Sequence, residues 1–243
     1  FNTQYFQIIT PEQAKYTSLL TIYYDVLSKP EDTFLFIPAL RRTLRLSSAA
    51  RCSPALGSDY SIDDTRHSTF NGNPTRFDGK YMGDRSVLEM ININVRLSYE
   101  QSSFYMPIFY PKPIIGKWET RDSYILDVRR IPSERAGYCY GKKRLYLDKH
   151  MWASVWGDIY DTNMKLWKVD YDPAGLVNVP GEGKIWSNNG WGAMLDVQNG
   201  HLTHVDFGPD GFAAGKECAS DDGHNFMDVG RYSSVAGLNQ IMR

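Results

Sequence analysis

Five histidines, three cysteines and a scatter of acids are the residues of this 243-residue chain that could do chemistry. His201 and His204 lie three apart in strand-like sequence, so they leave on opposite faces and cannot share a metal ion without a bulge. His67, His150 and His224 sit in turn-like sequence and read as exposed loop residues. Cys139, between Tyr138 and Tyr140, has no histidine or cationic helix start beside it to activate its thiol. Glu89, Glu119 and Asp127 could supply a glycosidase pair, but their spacing is not diagnostic. Asp59, Asp63 and Asp64 lack the glycine and terminal glutamate of a calcium loop; caps and loop ion pairs explain them more cheaply. There is no G-x-S-x-G, no H-E-x-x-H, no phosphate-binding loop and no G-x-G-x-x-G after a strand. The expectation is a protein with no catalytic residues, no metal and no cofactor.

Composition narrows the partners. A formal charge of -1 gives no global field toward nucleic acid or an anionic membrane. No face interleaves basic and aromatic residues as an RNA-binding sheet would, so no nucleic acid is expected. Aromatic residues make up 14% of the chain, which suits pleated, half-buried surfaces and also apolar cavities. Cys52, Cys139 and Cys218 are too few for a disulfide framework; one bridge with a free thiol and three free thiols both remain open. The chain begins at Phe1 without a leader, which reads as a processed or truncated start.

The elements that must position these residues are strands. Ser18–Val26 alternates, with Leu20, Ile22, Tyr24 and Val26 on one face. Thr33–Ile37 and Thr43–Leu46 continue a meander, with Arg41 and Arg42 at its turn, where they either face solvent or pair with Asp59, Asp63 or Asp64. A loop from Ser47 to Asn73 holds one helical turn near Tyr60–Thr65. Lys80–Leu88 and Ile91–Tyr99 are strand candidates around a Gly83-Asp84 turn. Phe104–Ile115 carries three prolines, so it is neither a central strand nor a helix. It is nonetheless strongly apolar, which predicts a plug folded over a core or an exposed surface for a partner or a membrane. Trp118–Arg130, Lys143–Leu147, Trp152–Tyr160 and Lys165–Tyr171 follow at the even spacing of an antiparallel meander. A hairpin of Met194–Val197 and Leu202–Phe207 turns at Asn199-Gly200. Beyond Gly208 the tail is irregular until a short helix in Arg231–Met242. No linker stands out, so residues 1–243 read as one domain built on one continuous sheet, mainly β and with few short helices.

Two motifs carry a family resemblance. Pro38, Ala39, Leu40, Arg41, Arg42, Arg45, Leu46, Ser47, Ser48 and Ala49, then Gly57, Asp59, Asp63 and Asp64, form the first. Lys143, Arg144, Tyr146, Asp148, Trp152, Tyr160, Asp161, Leu166, Trp167 and Lys168 form the second. In both, the chain resembles a bacterial family of unknown function related to the LolA/LolB carriers of outer-membrane lipoproteins. The likeness covers most of residues 5–171 and is poorer in the C-terminal third. It implies a half-open β-barrel in the periplasm or at the outer-membrane periphery, with strands and helices preceding Phe1 that this chain lacks. It also implies a carrier of lipid or acylated lipoprotein that does no catalysis.

On that reading an acyl chain lies against Leu20, Ile22, Tyr24, Phe34 and Phe36. Phe104, Met106, Ile108, Phe109, Ile114 and Ile115 of the proline-rich loop surround it. Arg41, Arg42, Asp59, Asp63 and Asp64 become a structural clasp, and periplasmic oxidation is expected to pair Cys139 with Cys218, leaving Cys52 over. The alternative is a structural or interaction module, with the basic turn docking an envelope membrane transporter or a missing N-terminal chain.

Overall fold

A computed structural model describes residues 2–64, 74–92, 109–179, 181–187, 191–206 and 229–240. The chain divides into two compact units, Phe1–Arg51 with Gly72–Thr75 and Glu217–Arg243, and Cys52–Asn71 with Arg76–Lys216. The described strands do not continue one sheet, as the sequence suggested, but form sheets of four, two and seven.

The first unit is a meander of β1 (Asn2–Gln7), β2 (Ser18–Tyr23), β3 (Asp32–Ile37) and β4 (Arg42–Leu46), each antiparallel to the next. Register places Tyr5, Leu20 and Phe34 in one row across the sheet. Leu20 and Phe36 are buried with Leu238, and Tyr5, Tyr16, Ile22, Phe34 and Val235 pack around them. Leu238 and Val235 belong to the second of two short helices, α1 (Val229–Tyr232) and α2 (Val235–Leu238). Ser234 caps the second by accepting from the Gly237 N–H, satisfying one of the first-turn donors.

In the second unit, β5 (Phe77–Ile91), β6 (Lys117–Arg130), β7 (Lys142–Asp148), β8 (Ser154–Tyr160) and β9 (Leu166–Tyr171) run as a consecutive antiparallel meander. A separate hairpin, β10 (Gly175–Val179) with β11 (Gly183–Ser187), intervenes before β12 (Trp191–Asp196) and β13 (His201–Asp206). β12 pairs with β9, so the seven strands make one curved, open sheet in the order β13-β12-β9-β8-β7-β6-β5.

Two local expectations are corrected here. Gly83-Asp84 is not a turn between strands but lies at a bulge within β5, where register shifts between Tyr81 and Asp84 and Gly83 takes φ +97°. Trp152 does not open a strand. It stands in the β7–β8 turn at φ 55° and 68% exposed. Asp148 organises that turn, its Oδ1 accepting from the His150 and Met151 amides. Gly141, by contrast, is required where it sits: a Cβ there would lie 2.3 Å from the Asp161 carbonyl oxygen.

Candidate functional site

Strand alternation gives the seven-stranded sheet two faces. In β9, Lys168 and Asp170 leave on one side and Val169 and Tyr171 on the other. Register extends each choice across the strands. Lys143, Ile159, Lys168 and Asp196 make a row on the first face, and Tyr146, Trp156, Tyr171 and Ala193 a row on the second.

The first face buries charge beneath residues 59–64. Lys143 Nζ lies 3.0 Å from Asp64 Oδ1 and 3.8 Å from Asp63 Oδ2, and Arg130 Nη2 lies 3.5 Å from Asp63 Oδ1. Tyr138 donates to Asp63 and Tyr140 to Asp64, while the Ser61 amide and hydroxyl donate to Asp64 Oδ2 at 2.9 and 2.7 Å. Lys168 Nζ donates to the Asp59 carbonyl at 2.5 Å, and Asp59 Oδ2 accepts from Thr203 Oγ1 at 2.7 Å. Burial opposes the charge of Asp64, but Lys143 and Tyr140 outweigh it and hold its pKa below the usual carboxylate range. Burial likewise works against Lys143, yet Tyr138, Asp64 and Asp63 leave its pKa raised. Asp170 is different: burial, then Asp172 and Asp64, push its carboxyl well up.

This is a clasp, but not the one the sequence suggested. Asp59, Asp63 and Asp64 do pin the loop to the sheet, with Lys168, Arg130 and Lys143 as the cations. Arg41 and Arg42 are exposed at the β3–β4 turn and have no acidic partner among the described residues. The disulfide is also corrected: Cys139 bonds Cys52, across a Cα–Cα distance of 5.6 Å, and not Cys218. That bond anchors the start of the same loop beside Tyr138 and Tyr140. Cys218 lies outside the described residues.

Around Tyr171 and Ala193 of the second face lies an apolar cluster, while the same face carries Asp127, Arg144 and Asp158 further along. Met90, Ile115, Tyr171 and Ala193 are buried together, with Trp118, Trp156, Val169, Leu195 and Leu202 packed on them. Trp118 stacks on Trp156 at 6.0 Å, and Trp156 meets Tyr171 edge-on at 4.4 Å. The Trp156 indole N–H donates to the Leu88 carbonyl at 3.0 Å, which satisfies its one polar group. Glu89, which precedes Met90 in β5, is fully buried, with Ser123 donating to Oε1 at 2.9 Å.

The residues expected to hold a ligand fall in both units. Leu20, Ile22, Phe34 and Phe36 form the first unit's core, whose helices come from the chain's own C-terminal region. Tyr24 instead donates to Asp32 Oδ2 at 2.7 Å. In the second unit Phe109 is half-buried and Ile115 sealed, with Pro111 also fully buried, so this end of the proline-rich segment folds onto the core. Ile114 lies in a 3-10 turn, Pro113–Ile115. Phe104, Met106 and Ile108 lie outside the described residues. Sequence reading missed Trp118, Trp156 and Tyr171 as one cluster, because only the packing of separate strands brings them together.

The fold has solved counterparts. A Vibrio parahaemolyticus domain named for outer membrane lipoprotein sorting matches at TM-score 0.57 and 19% identity, over 83% of this chain and 68% of that one. A DUF1329 family protein from Desulfovibrio piger matches at TM-score 0.58 and 18% identity, over 83% and 67%. At such identities the likeness is one of fold. No curated protein matches the chain. The model of the family described as "Protein of unknown function (DUF1329)" matches residues 1–217. The chain therefore belongs to the DUF1329 family.

Proposed function

We propose that this protein is a non-catalytic carrier that holds an acyl chain of a lipid or acylated lipoprotein in the cell envelope. The observation that carries the reading is the aromatic face of the open sheet, where Trp118, Trp156 and Tyr171 pack with Met90 under Ile115. An acyl chain needs no polar recognition there, since each buried methylene contributes about 0.8 kcal/mol. The name of the Vibrio domain, which shares the fold, points the same way. The Cys52–Cys139 bond supports an oxidising compartment such as the periplasm. Native mass spectrometry of the purified protein should show co-purified lipid. A clean apo mass, with no uptake of a fluorescent fatty acid, would count against the reading.

One observation favours a second reading, an interaction module. Arg41 and Arg42 are exposed at a hairpin turn, available to an envelope membrane transporter or a separate chain. Capture of such a partner, lost in Arg41→Glu with Arg42→Glu while lipid uptake is absent, would establish it.

A further inference from the structure

Register carries one row of side chains across the second face of the seven-stranded sheet, from charge to hydrocarbon. Asp127 of β6 faces Arg144 of β7, and Arg144 faces Asp158 of β8. Asp158 faces Val169 of β9, Val169 faces Leu195 of β12, and Leu195 faces Leu202 of β13. The last three pack on the cluster of Tyr171 and Ala193. The neighbouring row runs Tyr146, Trp156, Tyr171 and Ala193, so aromatic rings lie alongside. Strands lie about 4.8 Å apart, so the row from Arg144 to Leu202 spans about 19 Å. Solvent reaches along it. Arg144, Asp158, Val169, Leu195 and Leu202 are all partly exposed, whereas Lys143, Lys168 and Asp196 on the other face are buried.

The charged end of the row has more donors than acceptors. Asp127 accepts from Arg144 Nε at 2.7 Å and Nη2 at 3.1 Å, and from Lys142 Nζ at 3.0 Å. A guanidinium carries five N–H donors and an ammonium three, so most of theirs remain uncommitted among the described residues. Arg144 turns to Asp127 although Asp158 faces it across the ladder; Asp158 instead takes the Tyr146 hydroxyl at 2.6 Å. Cations that are partly buried, with N–H groups in hand and hydrocarbon beside them, suit an acceptor-rich head on an apolar chain.

We propose that Arg144, oriented by Asp127, receives the oxyanion head of an amphiphile, a phosphate or a carboxylate, whose acyl chain runs along Val169, Leu195 and Leu202 beside Trp156 and Tyr171. This rests on the acyl-carrier reading and adds the class of head. A guanidinium matches either oxyanion with parallel N–H bonds, and the two bonds to Asp127 fix its plane. Asp158 stands between head and chain and opposes an anion. Burial, the largest influence, raises its pKa, whereas Asp127, against its own burial, is held low by Arg144 and Lys142. Of the two acids, Asp158 therefore gives up its charge the more readily.

The test compares an alkyl phosphate, a fatty acid and a fatty alcohol of one chain length, each titrated by calorimetry below its micelle concentration. The unmodified protein should bind both anions about tenfold more tightly than the alcohol, the contribution of one charge-assisted hydrogen bond. The tighter of the two anions identifies the head. Arg144→Gln leaves Asp127 with Lys142 as its cation, so the fold should persist, checked by melting, while the preference for anions is lost. Asp158→Asn keeps an acceptor for Tyr146 and should widen the preference. Equal affinity for anions and alcohol in the unmodified protein, a preference that survives Arg144→Gln, or one that narrows in Asp158→Asn overturns the proposal and leaves acyl carriage standing. Binding of none of the three overturns both.

Discussion

Lys143 Nζ stands 3.0 Å from Asp64 Oδ1, with both side chains sealed from solvent, although 79 positions separate them in the chain. Removing one partner of such a pair leaves the other charge buried and uncompensated, at a cost of about 3–5 kcal/mol. Lys143→Met should therefore lower the unfolding free energy by that amount, seen as a lower urea midpoint with an unchanged slope. The pair also sets a pH dependence. Asp64 has a depressed folded pKa, so its contribution is present above its unfolded value and lost as pH falls through the folded one. Acid titration of the unmodified protein should thus show a loss of stability below about pH 4 that is smaller in Lys143→Met. An equal loss in both would remove Asp64 as its source.

Cys52 and Cys139, 87 positions apart, close a long loop, and the residues that follow Cys52 carry the clasp acids. Removing a native bridge typically costs about 2–5 kcal/mol, roughly the range expected for Cys52→Ser with Cys139→Ser. Peptide mapping without reductant should recover a Cys52–Cys139 linked pair and an alkylated Cys218. A Cys139–Cys218 peptide would refute the assignment.

Strands and hairpins were legible because alternation and turn chemistry are local. Leu20 and Ile22 lie on the face their spacing assigns, and the Asn199-Gly200 turn joins β12 to β13. The partners of Asp63 and Asp64 were not legible. Arg41 and Arg42 are nearest in sequence and opposite in charge, but Arg130 and Lys143 face the acids only because register brings β6 and β7 beneath them. The two motifs that carried the family resemblance do meet, at Lys143 and Asp64. Their meeting is a fact of pairing, invisible to spacing. Gly83 shows the same limit: a positive-φ glycine signals a turn or a bulge equally well, and only the ladder on both sides decides.

Asp170 lies on the clasp face, buried, with its carboxyl pKa pushed well up by burial and by Asp172 and Asp64. In the unfolded chain the same group loses its proton near about pH 4. Above that pH the unfolded state binds fewer protons than the folded one, so the group weakens the fold as pH rises. Asp170→Asn keeps the shape and removes the titration. It should raise stability at neutral pH by about 1 kcal/mol or more and leave it unchanged well below about pH 4. A loss at neutral pH, measured by urea unfolding, would mean that the ionised carboxyl is used.

Trp156 joins the two properties an acyl-binding face must combine, apolar contact with Trp118 and Tyr171 and a satisfied indole N–H. Two substitutions separate them. Trp156→Phe keeps an apolar ring and leaves the Leu88 carbonyl without its donor, which should cost about 1 kcal/mol of stability. Fatty-acid uptake should survive, since the methylenes still meet hydrocarbon. Trp156→Gln offers a donor but replaces the ring with a polar amide, and uptake should fall well below that of the Phe variant even where the two melt at similar temperatures. If both variants bind fluorescent fatty acid as the unmodified protein does, the acyl chain lies elsewhere and the aromatic face is only a core.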